Sequence, residues 1–220
     1  MGPIHAVLFD LDGTLIDSAP DLAGTGNDMR LARGLLPLPY ERFRPMVGAG
    51  ARGMVGVALQ VEPADAEFIQ LRDEFLQRYE QRMMQQTQVF DAMRPVLAEL
   101  LSRGVPWGIV TNKAQRFTEP LVRALGLHSQ AATVISGDST PHAKPHPAPL
   151  LEAARQLKLQ PQHCVYVGDD LRDVQAGRAA GMHTVAAGWG YLGLGESIGD
   201  WGADHVIETP SQLLNLLAMA

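Results

Sequence analysis

The stretch LFDLDGTLID, residues 8–17, decides the fold. The approach to it, IHAVLF (Ile4 to Phe9), is apolar and β-prone. That pattern fits a strand buried on both faces, as in a parallel sheet. Asp10 arrives where the strand should emerge, and Asp12, Gly13 and Thr14 form a turn. Carboxylates at the carboxyl end of a central strand look into the crevice where open α/β sheets bind ligands. Asp-Gly by itself is a common turn signal, so the rest of the chain has to show whether these acids do chemistry.

Beyond this stretch, residues 18–85 carry helical patterns with little strand signal. Ser18 and Asp21 fit a helix start, with Pro20 tolerated in the first turn. Phe68, Leu71, Phe75, Tyr79 and Met83 recur at spacings of three and four within a predicted helix over 64–84, one apolar packing stripe. From about residue 92 the period changes to short apolar strands alternating with helices. VPWGIVT, AATVIS, CVYVGD, HTVAA and DHVIE read as strands, and SQLLNLLAMA as a terminal helix. Such alternation implies βαβ units and a doubly wound parallel sheet with right-handed crossovers. The expected architecture is an α/β core over 1–17 and 86–220, with a helical cap over 18–85 inserted after the first strand.

Composition narrows the function classes. A net charge of −6 argues against a nucleic-acid-binding face. No window approaches 18 consecutive apolar residues, which excludes a transmembrane helix from the expectation. The chain runs from MGPIH straight into its first strand, so no signal peptide is expected, and a cytoplasmic monomer or homodimer is. Cys164 is the only cysteine and sits in an apolar strand, where it reads as structural. The scattered histidines show no zinc spacing.

Four strand ends or loops then fall in order: Asp10-x-Asp12-Gly13-Thr14; Thr111 in IVTNK, ending an apolar strand; Lys144 in HAKPHPAPL; and Gly168-Asp169-Asp170-Leu171-Arg172-Asp173. Each is weak alone. Together, in this order, they resemble the motifs of the haloacid dehalogenase superfamily of phosphotransferases, and the resemblance covers essentially the whole chain. It implies a Mg²⁺-dependent phosphomonoesterase working through an aspartyl-phosphate. Asp10 is then the nucleophile and Asp12 the general acid and base. Asp10, the Asp12 backbone carbonyl and Asp169 hold the metal, and Asp173 stands behind them. Thr111, assisted by Asn112, donates to phosphoryl oxygens, and Lys144 supplies balancing positive charge. Asp170 reads as a helix N-cap.

The region VGAGARGM (Val47 to Met54) reads as a glycine-rich loop between cap helices, with Gly50 and Arg52 meeting an anionic group such as a carboxylate. Within the superfamily the chain is similar to phosphoglycolate phosphatases. In GAGARGMV, WGIVTNKAQRFTEPL, YVGDDLRDVQAGRAAG and WGADHVIETP it looks more like N-acetylmuramic acid 6-phosphate phosphatases. Both substrates carry a carboxylate beside a phosphomonoester. Ala114 after TNK, where proline is frequent, and His146, where an acid is common, depart from the pattern without touching the chemistry. A phosphosugar mutase is disfavoured because Gly168 precedes Asp169 where mutases usually carry glutamate. A phosphonatase would need a cap lysine, and residues 18–85 contain none. A non-catalytic phosphometabolite-binding protein would be expected to have lost one of the acids or Lys144. Gly188, Trp189 and Tyr191 are left open between lining the pocket and packing.

If Asp10 attacks phosphorus, Asp10→Asn abolishes phosphate release while circular dichroism stays that of the folded chain. Activity above about a tenth of wild type, little more than one kcal/mol of barrier, would remove Asp10 from that role.

Overall fold

The computed structural model describes residues 3–218. The predicted terminal helix is present as far as Ala218, and its last two residues, Met219 and Ala220, lie outside the described residues, as do Met1 and Gly2.

The chain opens with β1 (Ala6–Phe9), passes the Asp10–Thr14 turn, and enters a two-residue strand β2 (Ile16–Asp17). Four helices follow: α1 (Ala19–Leu31), α2 (Tyr40–Phe43), α3 (Gly50–Leu59) and α4 (Phe68–Arg82). The return is β3 (Gln88–Val89), antiparallel to β2, with Ile16 opposite Val89 and Asp17 opposite Gln88. Then come α5 (Met93–Ser102), β4 (Trp107–Val110), α6 (Gln115–Ala124), β5 (Thr133–Ile135), α7 (Ala148–Leu157) and β6 (Cys164–Gly168). The chain ends in α8 (Leu171–Ala180), β7 (His183–Ala187), β8 (His205–Ile207) and α9 (Gln212–Ala218).

Six strands form one sheet in the order β5-β4-β1-β6-β7-β8, and every pairing in it is parallel. The α/β expectation holds, with the LFD stretch on a central strand. All four residues of β1 are buried, because alternate side chains serve opposite faces. Val7 and Phe9 pack with Trp107, Ile109 and Val167 on one face. Ala6 and Leu8 pack with Val110, Ile135 and Tyr166 on the other, and Cys164 lies buried there as expected. The run is continuously apolar because neither face meets water.

The helical segment packs on itself and joins the first of these cores. Phe68, Leu71, Phe75, Tyr79 and Met83 are all buried, so the helical spacing predicted a real seam. The helix that carries it is shorter than the predicted 64–84 and begins at Phe68. Residues 47–54 are a correction. They are not a loop: Arg44–Ala49 is a 3₁₀ turn and Gly50 begins α3, so Arg52 lies in that helix's first turn. Gly50 has φ +61°, which lets the chain turn between the two helical segments.

The two crossings between segment and core are tied by polar groups that local patterning does not show. Ser18 stands at the N-cap of α1, but its hydroxyl does not cap the helix; it donates to Asp12 Oδ1. The orphan N–H groups of Ser18 and Ala19 instead donate to the Tyr191 hydroxyl, at 2.9 and 3.1 Å. That hydroxyl donates in turn to Asp17 Oδ1 at 3.0 Å. Asp21, fully buried, accepts through Oδ2 from the N–H groups of Gln86 and Thr87 and from the Thr87 hydroxyl. The residue expected only to start a helix thus binds the outgoing chain to the returning one. Among the described residues no helix is long and apolar enough to cross a membrane.

Replacing Tyr191 with Phe strands the Ser18 N–H and leaves the Ala19 N–H only its 3.3 Å bond to Asp17 Oδ1, a loss of about 1–3 kcal/mol. Urea unfolding checks this. A midpoint that does not move would show that the hydroxyl holds nothing.

Candidate active site

The four predicted motifs converge at the carboxyl ends of β1, β4 and β6, around a cavity of about 380 Å³. Asp10, Asp12, Thr111, Asn112, Lys144, Asp169, Asp173 and Gly50 all line it. Arg52 does not: it is exposed, and no hydrogen bond or ion pair joins it to another described residue.

Lys144 is the hub. Its Nζ lies 2.8 Å from Asp10 Oδ1, 2.7 Å from Asp173 Oδ1, 2.8 Å from the Tyr166 hydroxyl and 3.1 Å from the Val110 carbonyl. Burial opposes its charge, yet Asp10 and Asp173 outweigh that and hold the ammonium above the ordinary lysine value. The lysine backbone is fixed by Asn112, whose Oδ1 accepts the Lys144 N–H at 2.9 Å and whose amide donates to its carbonyl at 3.0 Å. Asn112 was expected to assist phosphoryl binding; its amide is committed to placing Lys144. Thr111 directly follows β4, buried, and its hydroxyl accepts the Lys113 N–H at 3.1 Å.

Asp169 is boxed in. The Thr14 hydroxyl donates to one carboxylate oxygen at 2.9 Å and the Tyr191 N–H to the other at 2.7 Å. A Cβ on Gly13, where φ is +84°, or on Gly190 would collide with this carboxylate, so both glycines are needed for the close approach. Asp170 is the N-cap of α8 as expected, and Asp173 completes a capping box by accepting the Asp170 N–H at 3.1 Å.

Oxygens of Asp10, Asp169 and Asp173 lie within 4.8 Å of one another. Burial pushes the Asp10 carboxyl up to about 7 against the pull of Lys144, with Asp173 and Asp12 adding repulsion. Burial, then Asp10 and Asp173, holds Asp169 well above the usual carboxylate range. Three carboxylates sharing one ammonium are short of positive charge, and an all-oxygen donor set suits a hard divalent cation. The residues therefore fit a cation such as Mg²⁺. Asp12 stands apart from this cluster: its Oδ1 accepts from the Ser18 hydroxyl, and Lys113 Nζ donates to Oδ1 and Oδ2 at 3.0 and 3.2 Å.

Several residues of the site carry only a weak signal in the sequence. Lys113 carries one visible signal, a lysine two residues past a strand-end threonine. Burial disfavours its charge, but Asp12 and Tyr79 hold it above the ordinary lysine value. Tyr166 was readable only as a polar-tipped residue inside an apolar strand. Trp189 and Tyr191, left open above, pack rather than line the cavity: the Trp189 indole donates to the Thr14 carbonyl at 3.1 Å. Arg44 donates to the carbonyls of Trp189 and Gly190 and stacks on the Tyr191 ring.

The family of haloacid dehalogenase-like hydrolases matches residues 7–187, from β1 to the end of β7. The chain belongs to that hydrolase family and stands among its phosphatases. The N-acetylmuramic acid 6-phosphate phosphatase of Pseudomonas aeruginosa is 39% identical over 217 residues, covering 99% of this chain and 96% of that protein. The phosphoglycolate phosphatase of Xanthomonas campestris is 46% identical over 210 residues, covering 95% and 94%. A solved structure from Haemophilus somnus, described as a predicted phosphoglycolate phosphatase, superposes with a TM-score of 0.85. It is 26% identical, over 98% of this chain and 99% of that one.

The raised Asp10 value makes a sign-specific prediction for the metal-free protein. A folded-state pKa above the unfolded one gives stability that is full below about pH 4 and is lost as pH rises through 7. Asp10→Asn removes that loss, so in EDTA it should gain on the order of 2 kcal/mol more, relative to wild type, at pH 8 than at pH 5. Equal gains at both pH values in urea titrations would contradict it.

Proposed function

We propose that the protein is a Mg²⁺-dependent phosphomonoesterase that hydrolyses a carboxylated sugar phosphate of the N-acetylmuramic acid 6-phosphate type through an aspartyl-phosphate on Asp10. The observation that carries this reading is the Asp10–Lys144 pair at the floor of a cavity with room for far more than a two-carbon acid. At ~30 Å³ per water, its volume corresponds to roughly a dozen waters, within the range of pockets that enclose sugar-sized ligands. Its wall includes Leu22, Phe75, Leu76, Tyr79 and Phe117, the apolar surface that the face of a sugar ring or an acetyl methyl packs against.

In this reading Lys144 and Thr111 draw the phosphoryl oxygens to Asp10. The Asp10 oxygen attacks phosphorus, the bond from phosphorus to the ester oxygen breaks, and Asp12 gives its proton to the departing alcohol. Asp12 then takes a proton from the water that attacks the phosphorus, and the bond from phosphorus to Asp10 breaks to release phosphate. Ser18 and Lys113 hold the Asp12 carboxylate in one orientation between these transfers. A divalent cation held by Asp10 and Asp169, with Asp173 behind, would offset repulsion between the carboxylate and the phosphoryl oxygens. Residues 18–85 act as the cap in this reading, a role supported by Val47 to Ala51, Phe75, Leu76 and Tyr79 in the cavity wall. The reaction belongs in the cytoplasm, in the recycling of cell-wall sugars.

A second reading, a phosphoglycolate phosphatase, is favoured by the 46% identity to the Xanthomonas enzyme. The two are separated by kcat/KM for N-acetylmuramic acid 6-phosphate and 2-phosphoglycolate, measured side by side with Mg²⁺. The sugar acid should lead by about tenfold or more, as its added apolar contacts predict. A lead for the two-carbon acid would establish the second reading.

A further inference from the structure

Four cationic side chains line the cavity: Lys113, Arg116, Lys144 and Arg172. Three are committed to acids of the protein. Lys144 serves Asp10 and Asp173, and Lys113 serves Asp12. Arg172 forks onto Asp170 and also donates to the Gly48 carbonyl, across from the core to the helical segment. Arg116, itself exposed but lining the cavity, makes no hydrogen bond or ion pair with another described residue. Its guanidinium lies instead over the Phe117 ring, 4.4 Å from the centroid. Stacking of this kind restrains an arginine while leaving its N–H edges free for a planar anion.

The position of Arg116 follows from a ladder of contacts along the cavity wall. Lys113 Nζ sits 4.8 Å from the Tyr79 ring centroid, Tyr79 meets Phe117 edge to face at 5.5 Å, and Phe117 carries Arg116. Two aromatic rings thus stand between the cation that serves Asp12 and the one that serves nothing in the protein.

We propose that Arg116 is the specificity-determining residue that binds the substrate's carboxylate, and that the Tyr79–Phe117 wall sets the distance between that carboxylate and the phosphoryl group. The assignment rests on the phosphatase reading above and replaces Arg52, which lies outside the cavity. It selects an ester whose phosphate and carboxylate are separated by a body with an apolar face, such as a phosphorylated sugar acid.

The test compares wild type, Arg116→Ala and Arg52→Ala on N-acetylmuramic acid 6-phosphate, on its carboxylate-free counterpart N-acetylglucosamine 6-phosphate, on 2-phosphoglycolate and on p-nitrophenyl phosphate. Arg116→Ala should lower kcat/KM for the sugar acid roughly 10- to 100-fold, the value of a hydrogen-bonded charge pair, and change the two carboxylate-free esters by no more than about threefold. The loss should fall mainly on KM, and Arg116→Lys should restore part of it. Equal losses on all esters, a selective loss in Arg52→Ala instead, or a wild type that does not distinguish the sugar acid from its counterpart would each overturn the proposal. A selective loss confined to 2-phosphoglycolate would keep Arg116 as the carboxylate reader and refute the sugar spacing. No release from p-nitrophenyl phosphate by wild type would instead mark failure of the phosphatase reading itself.

Discussion

The contact on which the rest of the site depends is the buried ammonium of Lys144 among Asp10, Asp173 and Tyr166. An isolated charge at that depth would be untenable, and so would three carboxylates without a cation. Each group is tolerated because the others are present. The requirement reaches outward: Asn112 grips the lysine backbone, Gly168 leaves room for the Asp173 carboxylate, and Asp170 and Asp173 cap α8 while serving the cluster. One helix start and three strand ends are therefore fixed by a single electrostatic constraint.

That constraint also explains why the site sits where it does. In a parallel sheet with β1 at the centre, the ends of β4 and β6 flank that of β1, so residues far apart in the chain arrive side by side. Thr14, Trp189 and Tyr191 then join the first turn to the loop after β7, through Asp169 and the Thr14 carbonyl. The same tyrosine caps α1, which couples the acid cluster to the base of the helical segment.

Much of this was legible in the sequence because period and strand-end position are local signals. The run IHAVLF, the alternation after residue 92 and the Phe68–Met83 stripe each predicted their element, and the four motifs named the acids and Lys144. What was not legible depended on partners distant in the chain. Nothing near Asp21 announces that it will accept from Gln86 and Thr87. The glycines of 47–54 suggested a loop, yet the segment packs as a 3₁₀ turn and a helix through Val47, Met54 and Val55, which are buried. The surrounding glycines point to Arg52, whereas facing the cavity is a property of helix orientation that composition does not encode. Nothing in the sequence near Lys113 points to Asp12; only the fold brings the two together.

The ribbon of β2 and β3 is two residues long on each side, but it fixes where the helical segment begins and ends. Because departure and return are clamped together, the segment forms a closed excursion whose ends meet, and the sheet is threaded almost as if the excursion were not there. Such a module can lengthen, shorten or be exchanged wholesale at little cost to the core's register. In inheritance, the length of the excursion can therefore drift while the strand order of the sheet is kept.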